Sequence, residues 1–203
     1  MSRRIENKGE RISLDTIQGC FESGKVLHVD KVICGNGFST AFLKLKPSEG
    51  HINIIIMPNK GAIKSKELDY SKDRSKYNHN RIGFFYKEGK GGDLSSLDCA
   101  VFVADSFLTT EAVKEVSVDK LLIDEFHSVE KASSYRHNLK DLIHKVSKRV
   151  HNTSDASISS VTATPNLSSR VDIVIENEVI NPIDIQVSID TESTIEAIRE
   201  HIK

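Results

Sequence analysis

A series of short apolar runs sets the tightest limit on what this chain can become. The runs are "KVIC" (31–34), "INIIIM" (52–57), "RIGFFY" (81–86), "CAVFVA" (99–104), "KLLIDE" (120–125) and "SISSVTA" (157–163). Several are apolar at consecutive positions rather than alternate ones, which suits strands buried on both faces and therefore parallel pairing. Polar or helical stretches separate them, and strands alternating with helices imply crossover units and a sheet covered on both sides. The expected fold class is α/β, a three-layer α/β/α domain with a mostly parallel sheet.

The clearest helix is "SSYRHNLKDLIHKVSKRV" (133–150), where Leu139, Leu142, Ile143, Val146 and Val150 form one apolar stripe. Lys140, His144 and Lys148 lie opposite at a spacing of four, a face that is either solvated or in contact with phosphates. Residues 64–81 read as a helix end followed by an exposed loop. "KEGKGGD" (87–93) reads as a glycine-rich turn with no helix after it, so not as a phosphate cradle. The tail changes character: 181–190 alternates like a strand, and 193–203 reads as a short amphipathic helix opened by the capping pair Ser193 and Glu196.

Composition excludes several classes. The 203 residues carry a net charge of −1, so no global basic charge advertises nucleic acid, although a local basic face is compatible with it. Cys20, Cys34 and Cys99 are far apart without a Cys-x-x-Cys pair, which argues against a disulfide framework or a zinc knuckle and fits a reducing compartment. No apolar run approaches the roughly 20 residues that span a bilayer. The charged N-terminus lacks the apolar core of a signal peptide. A cytoplasmic protein without a membrane partner is the expectation.

Three stretches carry chemistry. In "LLIDEFH", Asp124 and Glu125 follow three apolar residues and so fall at the C-terminal end of a buried strand, where open parallel sheets place ligands. There one carboxylate can hold Mg²⁺ and the other can polarise an attacking water. In "ICGNGFST" (33–40), Gly35 and Gly37 allow backbone N–H groups to converge on phosphate oxygens, and Ser39 or Thr40 offers a hydroxyl to Mg²⁺. Such a loop also needs a lysine on the outer phosphates, and Phe38 stands in its place. In "SVTATPN" (160–166), Thr162, Ala163 and Thr164 follow another apolar strand, where small hydroxyl residues can bond the carboxylates of a neighbouring strand and sense the nucleotide.

In this order and at these separations, the three stretches resemble the first RecA-like domain of a superfamily 2 helicase of the DEAD/DEAH-box kind, over about residues 25 to 180. "GNGFST" stands for motif I, "DEFH" (124–127) for motif II and "TAT" (162–164) for motif III. "MPNKGAIKSK" (57–66) falls where motif Ia contacts nucleic acid, and "VADSFLTT" (103–110) where a further strand-end motif lies. The resemblance implies Mg²⁺ on Asp124 and Ser39, with Glu125 orienting water. It implies phosphates wrapped by Gly35, Asn36, Gly37, Phe38, Ser39 and Thr40, and His127 coupling the site to Thr162, Ala163 and Thr164. Pro58, Asn59 and Lys60 would lie along the DNA or RNA. ATP and Mg²⁺ are the implied cofactors, and a second RecA-like domain in cis is the implied partner. The implied division is 1–24 as an N-terminal extension, 25–180 as the RecA-like domain, and 181–203 as the connection to, or start of, a second domain.

Position 38 divides the functional readings. Phosphoryl transfer depends on electrostatic stabilisation, so losing the lysine costs several kcal/mol at the transition state. Lys25, Lys31 and Lys44 are candidates to replace the charge, but nothing in the sequence positions them. One reading is a helicase-type nucleoside triphosphatase domain that, as an isolated chain, binds ATP·Mg weakly and hydrolyses it negligibly. The alternative is a catalytically inactive, helicase-derived module that binds nucleic acid or protein. On the loop reading, Phe38→Lys restores a point charge and tightens binding.

Overall fold

A computed structural model describes residues 2–86, 92–132, 139–163, 165 and 170–177. The tail elements expected at 181–190 and 193–203 lie outside the described residues, as do 87–91 of the glycine-rich turn and the first turns of the helix expected from 133.

The chain opens with β1 (Arg3–Asn7) and α1 (Leu14–Gln18), continues through β2 (Val26–Asp30), and passes a loop into α2 (Phe38–Phe42). Then come β3 (Ile52–Met57), α3 (Lys60–Lys72), β4 (Ile82–Phe85), β5 (Cys99–Val103) and α4 (Ala104–Thr109). The described residues close with β6 (Val118–Asp124), α5 (Phe126–Ala132), α6 (Leu139–Ser154), β7 (Ser157–Thr162) and β8 (Ile173–Asn177). The strands form one eight-stranded sheet in the order β1-β8-β2-β7-β6-β3-β5-β4, and every pairing is parallel.

Strand alternation splits the core into two layers. On one face Ile55, Met57, Val101, Val103, Leu122 and Val161 pack with Phe38 and Phe42 of α2 and Ile63 of α3. On the other, Ile54, Ile56, Phe102, Leu121 and Ile123 pack with Phe107 of α4 and Ile143 and Val150 of α6. All six side chains of β3 are buried, because the strand is central and helices cover both its faces. The expected α/β/α architecture is present.

Three local expectations change. The strand expected at 31–34 lies just upstream, as β2 at Val26–Asp30, and Val32, Ile33 and Cys34 are exposed. The N-terminus contributes β1, paired in register with β8, because Ile5 reaches the core and the buried Asn7 bonds Asn177 despite the charged residues around them. In α6, Leu142 is exposed and Ser147 is buried, so the inward line is Leu139, Ile143, Ser147 and Val150, with Val146 half-buried against the same core. A charged opposite face does remain, with His144 and Lys148 exposed.

Candidate functional site

Three adjacent strands, β2, β7 and β6, bring the chemistry together at their C-terminal ends. Register puts Asp30 beside Thr162 and Val161 beside Asp124. The β2–β7 ladder extends one residue further, as the Lys31 N–H donates to Thr162 O at 2.9 Å. Then the chain reverses sharply. Val32 sits at φ +58°, a costly conformation for a β-branched residue, while Ile33 N–H donates back to Lys31 O at 2.5 Å and Val32 N–H to Asp30 Oδ1 at 2.8 Å.

The loop that follows is held from within and from the N-terminal segment. Gly35 and Gly37 have φ of +73° and +86°, which L side chains rarely adopt. A side chain at Gly35 would meet open space, so the backbone there is accessible to a ligand. Asn36 is buried: its Nδ2 donates to Lys31 O at 3.4 Å, its Oδ1 accepts from Phe38 N–H at 3.3 Å, and its carbonyl accepts from Ile12 N–H at 3.0 Å. The Arg11 guanidinium donates to Gly35 O at 3.1 Å. Asn7 Oδ1 shapes this N-terminal brace by accepting from Ser13 N–H and Thr16 Oγ1, each at 3.1 Å.

Beyond the loop, Ser39 Oγ donates to Asp124 Oδ2 at 2.5 Å, and Lys66 Nζ of α3 donates to Thr40 Oγ1 at 2.5 Å. Phe38 is 2% exposed and belongs to the core beneath the loop. Its ring therefore does not reach out over the phosphate space. A cleft of about 240 Å³ opens above, lined by residues 35–40, by Asp124 and Glu125, and by three cations, Arg11, Lys31 and Lys66.

Glu125 follows β6 at φ +50°, in the left-handed region. Lys31 Nζ lies 2.5 Å from Glu125 Oε1 and 3.4 Å from Asp124 Oδ1, with the lysine side chain only 5% exposed. Burial opposes charge on this ammonium, but Asp124 and Glu125 outweigh it and raise its pKa. Lys66 goes the other way: burial lowers its pKa, partly offset by Asp69 and Asp124. Glu125 Oε2 is buried and accepts no hydrogen bond. His127 Nδ1 lies 3.3 Å from it but engages Thr162 Oγ1 at 2.9 Å. The strand-end hydroxyl and the acidic motif are thus joined, while Thr164 lies outside the described residues and Ala163 is half-buried.

Pro58, Asn59 and Lys60 end β3 and open α3 along the same sheet edge, outside the lining of the cleft. Asn59 caps α3 by accepting from Ala62 N–H at 2.9 Å, and Asn59 and Lys60 are exposed.

The sequence reading had singled out neither Arg11 nor Lys66 and could not place Lys31. Two of them left a signal. Leu27, Val29 and Lys31 alternate onto one face once β2 is recognised. Ala62, Lys66 and Tyr70 recur at a spacing of four on α3, and Ala62 and Tyr70 pack on the core. Arg11 left none, because a folded-back loop places it.

Mg²⁺ and a triphosphate fit these residues. Ser39 and Asp124 offer a pair of hard oxygens, which suits an ion that keeps several waters. Glu125 Oε2, which accepts no hydrogen bond, and the open backbone at Gly35 are features a bound water and phosphate would use. Among the described residues no helix is long and apolar enough to cross a membrane.

No family model and no curated protein matches the sequence. Solved structures do match the fold. The Sulfolobus solfataricus SWI2/SNF2 ATPase core in complex with dsDNA aligns at TM-score 0.50 and 18% identity, over 75% of this chain and 30% of that one. A DEAD box protein from the hyperthermophile Methanococcus jannaschii aligns at 0.50 and 14%, over 74% and 45%. S. cerevisiae Dbp5 bound to Nup159, Gle1, IP6 and ADP aligns at 0.52 and 13%, over 75% and 44%. This chain spans less than half the length of each. At these identities the likeness is one of fold: the chain has a parallel α/β fold like that of the SWI2/SNF2 ATPase core and the DEAD box protein.

Proposed function

We propose that this chain is the ATP·Mg-binding RecA-like domain of a helicase-type protein that acts on DNA or RNA in the cytoplasm. The observation that carries the reading is the 2.5 Å bond from Ser39 of the glycine loop to Asp124 of the acidic strand end, at the floor of a cleft rich in cations. Similar folds that hold dsDNA or ADP support it.

In this reading Ser39 and Asp124 hold Mg²⁺, Glu125 orients the attacking water, and the loop backbone at 35–40 approaches the phosphates. When bound, Mg²⁺ neutralises charge on the outer phosphates. The His127–Thr162 bond carries the state of the site to β7. Pro58, Asn59 and Lys60 lie along the nucleic-acid backbone, contacted electrostatically and without base reading. Residues 25–180 form the catalytic unit, 1–24 brace its loop, and 181–203 lead toward a second RecA-like domain. Turnover needs the arginines of that domain, so this chain alone binds nucleotide and hydrolyses it negligibly.

Calorimetric titration with a non-hydrolysable ATP analogue tests the reading. Binding should require Mg²⁺, and Asp124→Asn should weaken it by removing a ligand of the ion. Labelled single-stranded DNA and RNA should bind with affinity that falls steeply as salt rises. If the wild-type chain binds no nucleotide, the fold serves instead as a nucleic-acid- or protein-binding module.

A further inference from the structure

We propose that Lys31 supplies the phosphate-binding ammonium that position 38 of the loop lacks, reaching the cleft from the end of β2 and engaging the outer phosphates of a nucleoside triphosphate. The inference rests on the nucleotide-binding reading above and names the residue that makes such binding strong.

The geometry starts with the backbone. Strand alternation turns Lys31 toward the same layer as Val29 and Phe38. Its N–H is pinned to Thr162 O, and its carbonyl is held by both Ile33 N–H and Asn36 Nδ2. The strained turn at Val32 then carries the glycine loop around it. A side chain fixed at its root in this way reaches the cleft from the end of β2 and meets both carboxylates.

The environment supplies the second observation. A 5% exposed ammonium is expensive unless it is paired, and here it meets both Asp124 and Glu125. Those two carboxylates have other work in the nucleotide-bound site, and an ammonium with three donors on a flexible stem can move from them to phosphate oxygens. Phe38 is then no defect. With the charge delivered from β2, the loop position beneath it is free to fill the core. The other two cations are placed differently: Lys66 is committed to Thr40 and Arg11 to a loop carbonyl.

The test is titration of the full chain with a non-hydrolysable ATP analogue plus Mg²⁺, and separately with ADP plus Mg²⁺. The variants are Lys31→Met, Lys66→Met and the double variant Lys31→Met/Glu125→Gln, each checked for folding by circular dichroism. Loss of one charge-assisted contact predicts roughly 10- to 100-fold weaker binding of the triphosphate by Lys31→Met, with a smaller loss for ADP. The double variant removes the unpaired carboxylate, so weak binding there as well excludes simple charge imbalance as the cause. Wild-type affinity in Lys31→Met or in the double variant, or a larger loss in Lys66→Met, overturns the assignment while leaving nucleotide binding intact. Failure of the wild type itself to bind overturns the underlying reading.

Discussion

Phe38→Lys restores the loop to its usual phosphate-binding form on paper, and the structure predicts that it damages the protein. The ring is 2% exposed within the core layer that includes Ile12, Val29 and Phe42. A buried phenylalanine removes roughly 200 Å² from water, worth about 5 kcal/mol at about 25 cal/mol per Å². The lysine stem recovers about 0.8 kcal/mol per methylene, about 3 kcal/mol in all, if it stays in the same space. Its ammonium must then sit unpaired in the core, at a cost of several kcal/mol, or reach for the cleft and leave a cavity behind. Either route leaves a deficit of more than about 2 kcal/mol, a large part of a domain's usual margin of about 5–15 kcal/mol. Urea denaturation followed by circular dichroism should show a lower midpoint by that amount, with triphosphate binding no tighter than wild type. A variant of wild-type stability that binds the ATP analogue more tightly would refute both the burial argument and the assignment of Lys31.

Two further outcomes follow from other contacts. Burial pushes the Asp119 carboxyl up, but donors from Lys120 and from Ser48 N–H and Oγ outweigh it and hold its pKa below the ordinary carboxylate range. Because the folded value is the lower one, this stabilisation is present above the unfolded value and is lost as pH falls through the folded one. Thermal melts between about pH 5 and pH 2 should therefore lose stability more steeply in the wild type than in Asp119→Asn, which should cost on the order of 1 kcal/mol at neutral pH. Thr162→Val removes the hydrogen-bond partner of His127 Nδ1 while keeping the side-chain volume. It should leave affinity for the ATP analogue within about twofold and reduce the mutual enhancement between nucleotide and nucleic acid, which by linkage must shrink equally in both directions. Undiminished coupling in the paired titrations would exclude Thr162 as the link.

The residues themselves determined the sheet and the place of the chemistry. "INIIIM", "CAVFVA" and "KLLIDE" are apolar at successive positions, and such runs are stable only between two helix layers, so a covered parallel sheet with a buried strand ending at Asp124 follows from local pattern alone. What the pattern could not convey was the position of charge. β1 was hidden because Arg3, Arg4 and Glu6 outweigh Ile5 in composition, although edge pairing needs only one inward apolar residue and backbone bonds to β8. Arg11 reaches Gly35 only because Asn7 folds the intervening loop back. Lys31 stands seven residues before the expected lysine position and reads as an unremarkable charge beside a strand. Only the parallel pairing of β2, β7 and β6 sets it against two carboxylates that are 93 and 94 residues away along the chain. Hydrophobic periodicity is a local property and can be read in sequence. The meeting of an ammonium with distant acids depends on strand order and on one strained turn at Val32, and tertiary structure alone decides it.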